Sequence, residues 1–122
     1  MTANELRLGN WVKTEYKEIG NIKITEISES VIYSNKTKGI SYSSLLPIPL
    51  TEEILLKCGF NKNELGGYIM YTELGSMLCI YKDGSFRSNE RYIDTKIKHL
   101  HQLQNLYFCL VGKEFDVNFE GY

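Results

Sequence analysis

The chain has no apolar run of about 18 residues and no positive segment leading into an apolar stretch at its start, MTANELRLGNW, so the signals for membrane spanning and for secretion are both missing. The cytoplasm is the expected compartment. Charge of one sign is missing as well: the formal net charge is −1 and no five like charges run together, so no charge block marks a basic nucleic-acid tail or an acidic arm. Cysteine is scarce and odd in number. Cys58, Cys79 and Cys109 lie far apart among apolar neighbours such as Leu56, Ile80 and Phe108, which reads as reduced core thiols rather than a disulfide framework.

The residues that usually carry catalysis are few and badly spaced. His99 and His101 are the only histidines, and in a helix a spacing of two turns them roughly 200° apart, so they cannot chelate one ion from the same face. One is expected exposed and the other half-buried. Cys109 lies eight or ten residues from them along one helix, more than about 12 Å, too far for a Cys–His nucleophile pair. Glu52-Glu53 is the only adjacent pair of acids, and helix-dipole compensation accounts for it. Gly66-Gly67 and Gly112 match no phosphate-binding pattern and read as turn glycines. No catalytic site, metal or cofactor is expected.

What is present is globular: 43% apolar and 24% charged residues over 122 positions describe one ordinary domain, or two very small ones sharing a core. From Trp11 to Tyr42, β-favouring stretches alternate with turn residues every six to ten positions, predicting short antiparallel strands at Trp11–Tyr16, Ile22–Ile27, Val31–Ser34 and Gly39–Tyr42. So many strands in so short a segment call for a curled sheet or a small SH3-like barrel over residues 1–50. Leu45 to Leu50 carries Pro47 and Pro49 and reads as a stiff apolar connector. Residues 51–122 are expected to form an α+β unit. Thr51 caps a helix over 52–58, with Glu52 and Glu53 in its first turn and Gly59 behind it.

Strands follow from Phe60, including a β-hairpin within 67–87 turned by Lys82-Asp83-Gly84, and a further strand at Asn89 to Thr95. Ile97, Leu100, Leu103, Leu106 or Tyr107, and Leu110 recur at helical spacing and predict an amphipathic helix over 96–111, ended by Gly112. Lys113 to Tyr122 alternates apolar and polar residues, the pattern of an edge strand or an extended arm.

Basic and aromatic residues interleave only between Tyr81 and Lys98, where five basic residues face three acids. A partner-binding face is expected there, with Phe86, Arg87, Arg91, Tyr92 and Lys96 as candidate contacts. Such a face can also meet single-stranded nucleic acid by stacking and phosphate contact. Nine tyrosines add to the case for protein binding, since tyrosine gives large contact area at low entropy cost.

Three stretches carry a resemblance. Asn4-Glu5-Leu6-Arg7-Leu8-Gly9-Asn10-Trp11-Val12, Pro47-Ile48-Pro49-Leu50-Thr51-Glu52-Glu53 with the following Leu55-Leu56-Lys57-Cys58-Gly59-Phe60, and His101-Gln102-Leu103-Gln104-Asn105-Leu106-Tyr107-Phe108 resemble a family of small phage and prophage proteins over nearly the whole chain. In length and in lysine and tyrosine content the chain is also similar to type VI-B anti-CRISPR proteins, inhibitors of an RNA-guided RNA nuclease. The resemblance implies a non-enzymatic, monomeric phage protein that binds a host defence nuclease in the bacterial cytoplasm and meets RNA through that complex; a nucleic-acid-binding phage accessory protein is the alternative. Its motifs read as a fold signature and carry no catalytic residue across. Departures from the pattern fall in the loop Asn61 to Gly67 and the acidic C-terminal arm, exposed segments where a specific partner would be read.

Overall fold

Along β2 (Asn21–Ile27), Ile22 and Ile24 point into a core while Lys23 and Thr25 point to water, the period-two pattern of a sheet with one buried face. The computed structural model describes residues 1–73, 75–89 and 91–122, and side chains at all of these except 91–95. β1 (Trp11–Thr14), β2, β3 (Val31–Ser34), β4 (Ile40–Ser41) and β5 (Leu45–Leu46) pair antiparallel in the order β4-β3-β2-β1-β5. Leu6, Val12, Ile22, Ile24, Ile32, Ile40 and Leu45 form the core beneath them. The β2–β3 register shifts between Ile24 and Glu26, and a bulge of this kind bends and twists a strand. The sheet therefore curls without closing, β4 and β5 remaining its two edges; the curled sheet is formed and the SH3-like barrel is not. β5 also takes Leu45 and Leu46 from the expected connector.

α1 (Glu52–Lys57) starts where the Thr51 hydroxyl accepts the Ile54 N–H at 3.2 Å. β6 (Asn61–Lys62), β7 (Tyr68–Tyr71), β8 (Met77–Ile80), β9 (Ser85–Ser88) and β10 (Arg91–Lys96) then run as an antiparallel meander, each strand beside its sequence neighbour. Gly84 turns β8 into β9 at φ +89°, and a Cβ there would sit 3.0 Å from the Ile97 carbonyl oxygen. Only glycine allows the turn to lie so close to the chain leaving β10.

α2 (Leu100–Val111) begins four residues later than the periodicity predicts. Lys96 still belongs to β10, and His99 is extended, bridged to Pro49. Gln102 Oε1 accepts the Lys98 and His99 N–H groups at 3.0 Å each, which sets the helix start. Both helices pack on one face of the second sheet, where Ile54, Leu55, Leu100 and Leu103 meet Tyr68, Met70, Leu78, Ile80 and Phe86. The apolar run 106–111 occupies every side of the last turn of α2. Leu106, Tyr107 and Val111 reach the core, whereas Phe108, Cys109 and Leu110 stay outside. Two expectations are corrected here: Leu110 is not core, and Cys109 is exposed, unlike buried Cys58 and Cys79. No helix among the described residues is long and apolar enough to cross a membrane.

The two end motifs are each other's partners. Gln104, 2% exposed, accepts the Trp11 N–H at 2.8 Å and donates to the Gly9 carbonyl at 3.0 Å. Asn10, 0% exposed, donates to Asn105 Oδ1 at 2.7 Å, and Asn105 donates to the Glu5 carbonyl at 3.1 Å. Arg7 lies over the Phe108 ring at 4.2 Å, donates to the Gln104 carbonyl and pairs with Glu114. The extended arm 113–122 closes the same seam. Phe119 is fully buried edge-on to Trp11, Phe115 stacks on Tyr107 at 4.0 Å, and Asn21 donates to the carbonyls of Phe119 and Tyr122. Of the two expectations, an edge strand or an extended arm, the arm is formed, and it straps the halves together because Phe115, Val117 and Phe119 each have an apolar place to go.

Candidate functional site

Strand register places the outer face of the second sheet. Tyr68, Met70, Leu78, Ile80 and Phe86 alternate inward to the helices, so Ile69, Tyr71, Met77, Cys79, Ser85 and Arg87 alternate outward. Ile69 pairs with Cys79, Cys79 with Arg87, and Arg87 with Tyr92, making one row across four strands; Tyr71 and Met77 pair in the next. Tyr71 is 71% exposed, and Leu65, on the loop before β7, is 90% exposed. Among the described residues neither helix packs on this face, although Cys79 in its middle row is only 2% exposed and Arg87 is half-buried.

The expected contacts divide on this frame. Arg87 is half-buried on the outer face. Lys96 is exposed at the end of β10 and pairs with Asp83 at 3.4 Å. Phe86 is corrected: it is 0% exposed inside the core, since its neighbour Arg87 takes the outward position. Arg91 and Tyr92 lie in β10, and their side chains fall outside the described residues. Sequence reasoning missed Ile69, Tyr71 and Met77. The only signal for them was the alternation of β7 and β8, which says that one face is outward but not that it stays clear of the helices.

A second feature opens where the β8–β9 turn approaches α1. A cleft of about 340 Å³ is lined by Leu55, Ile80, Ile97, Tyr68 and Tyr81, with Glu52, Asp83, Lys82 and Lys98 at its rim. Glu52 accepts from the Tyr68 hydroxyl at 3.1 Å and pairs with Lys62 at 3.3 Å, and these bonds, that of Lys62 first, lower its pKa. Hydrogen bonds from Ser85, the backbone N–H foremost, hold Asp83 down at about 2, with Lys96 adding to them. Both carboxylates are anions at neutral pH with partners in place.

The histidines are arranged differently from the expectation. His99 precedes α2 instead of lying within it, so the two rings stack at 6.0 Å with 7° between planes. His101 is 2% exposed, its Nε2 lies 3.3 Å from Glu5 Oε1, and its Nδ1 has no hydrogen-bond partner among the described residues. Burial lowers its pKa and outweighs the opposing pull of Glu5. Burial also pushes the Cys58 thiol up to about 12, which leaves it a protonated core group. Among the described residues no three His, Cys, Asp or Glu side chains gather to hold a metal ion. Comparison with known proteins finds no match: no family model, no curated protein and no solved structure is similar to the chain.

Proposed function

We propose that the protein is a non-enzymatic, phage-encoded inhibitor that binds a bacterial defence nuclease in the host cytoplasm, the RNA-guided RNA nuclease of type VI-B CRISPR systems, through the outer face of its second sheet. The observation that carries this reading is the outward placing of Ile69, Tyr71, Met77 and Arg87 on paired strands, on the side of the sheet away from both helices, with Tyr71 71% exposed. Aromatic residues, methionine and arginine are the types enriched where proteins bind proteins. A paired sheet also presents them already ordered, so binding costs little further entropy. The resemblance of the end motifs to small phage proteins supports the source, and a partner seated on this face would hinder the RNA-handling surface of the nuclease.

The test is a pull-down of the tagged chain from cells expressing the effector with its guide RNA, with the effector alone, and with the RNA alone. Retention of the effector, lost in a Tyr71→Asp variant of unchanged melting temperature, is the expected result. Recovery of nothing overturns the reading. A second reading, a nucleic-acid-binding phage accessory protein, draws on the lysines at the cleft rim, and recovery of RNA alone would favour it.

A further inference from the structure

We propose that the cleft between the β8–β9 turn and α1 is a nucleotide site, taking one unpaired nucleotide of a single strand with its base on the apolar floor and its phosphate between Lys82 and Lys98. The site is separate from the sheet face assigned to the nuclease. Its volume, about 340 Å³, falls in the range of small-ligand clefts, roughly 300–1,000 Å³. Leu55, Ile80 and Ile97 give the floor and Tyr68 and Tyr81 the aromatic walls. Bases stack on aromatic side chains whatever their sequence.

Charge selects the ligand. The two rim carboxylates are already neutralised, Glu52 by Lys62 and Asp83 by Lys96. Lys82 and Lys98 have no ion pair among the described residues, Lys82 lying near enough to Glu52 to help lower its pKa, so Lys62, Lys82, Lys96 and Lys98 together outnumber Glu52 and Asp83 at this rim. Both stems are seated by glycines: Lys82 Cε lies 3.4 Å from where a Cβ of Gly66 would be, and Lys98 Cγ 3.2 Å from that of Gly84. An acidic side chain would meet the lysines and leave the floor bare, and an apolar side chain would do the reverse. A nucleotide satisfies both with one ligand.

The experiment uses the purified full chain and no nuclease, so its result is independent of the pull-down. Binding of a fluorescent ten-residue oligouridylate is followed by anisotropy over a series of salt concentrations. With one phosphate held between the two lysines, log K should fall against log salt with a slope of about −0.7, and Lys82→Gln and Lys98→Gln should each weaken binding and flatten that slope. Tyr81→Leu, which removes the aromatic wall and no charge, should weaken binding about tenfold with the slope unchanged. Absence of binding at low salt overturns the site, as does binding indifferent to both lysines. Equal binding of a glutamate peptide of matched charge, unaffected by Tyr81→Leu, also overturns it, since the site would then read charge alone.

Discussion

The two sheets are built alike, five short antiparallel strands over one apolar face, yet they cover their second face differently. On the first sheet the outward residues of β2 are Asn21, Lys23 and Thr25; Asn21 is tied to the C-terminal arm and the others are solvated. On the second sheet the outward residues include Ile69, Tyr71 and Met77, with neither helix over them. The first sheet has its largest outward ring, Trp11, covered by the second core, whereas the second leaves Tyr71 71% exposed beside half-buried Ile69 and Met77.

The comparison breaks most completely at the strap. Phe119→Ala removes a fully buried ring that touches Trp11 from the first sheet and packs in the core of the second. The expected loss is about 3–5 kcal/mol in denaturant unfolding, with both halves affected together because the ring belongs to both. A loss under about 1 kcal/mol would mean that the arm does not join them.

Next in size is Gln104→Leu, which keeps the volume but strips the Trp11 N–H and the Gly9 carbonyl of their partner. Leaving two buried backbone groups unpaired should cost about 2 kcal/mol or more. Gln104→Glu is a useful companion, since it retains the acceptor for Trp11 but sets a buried carboxylate against the Gly9 carbonyl. At pH 7 it should cost at least as much as Gln104→Leu, and the loss should shrink as pH falls and the protonated acid can donate to Gly9.

A smaller effect is expected from pH. His101 titrates in the folded chain below its ordinary 6.5, so the unfolded chain binds more protons in the window between the two values. Stability is therefore full above about pH 6.5 and declines as pH falls through the lower folded value. Glu5, His99 and the N-terminal amine all face this ring. Urea midpoints at pH 7.5 and 5.0 should differ in the wild type and converge in His101→Asn, and Glu5→Gln should steepen the decline by removing the partner that favours the charged form. Equal slopes in wild type and His101→Asn would show that the pH dependence lies elsewhere.

The local features of both sheets could be read in the sequence, because they depend on neighbours a few residues away. Ile22 and Ile24 alternate with Lys23, Thr51 stands before Glu52 and Glu53, and Asp83-Gly84 announces a turn. What could not be read depends on pairs some ninety residues apart. Gln104 and Asn10 look like solvated amides in sequence, and only the joining of the two ends makes them a buried seam. The one trace was the uncharged character of Leu100 to Val111, where a helix with a solvated face would carry ions. His99 was misplaced for the same reason: its bridge to Pro49 ends the strand late and starts the helix late. Alternation showed that Phe86 and Arg87 face opposite ways but not which of them faces the helices.

The smallest effect on stability is the one that bears most on function. Tyr71 is 71% exposed on the outer face, so Tyr71→Asp should leave unfolding within about 0.5 kcal/mol of wild type, as surface changes usually do. Thr25→Asp is the matching change on the first sheet, also exposed and outward. If the second sheet's outer face is an interface, the two variants should unfold alike and part only in the pull-down, Tyr71→Asp losing the effector and Thr25→Asp keeping it. Loss of the effector in both would place the contact on no particular sheet, and retention in both would return Ile69, Tyr71 and Met77 to the ordinary apolar surface that every small protein carries.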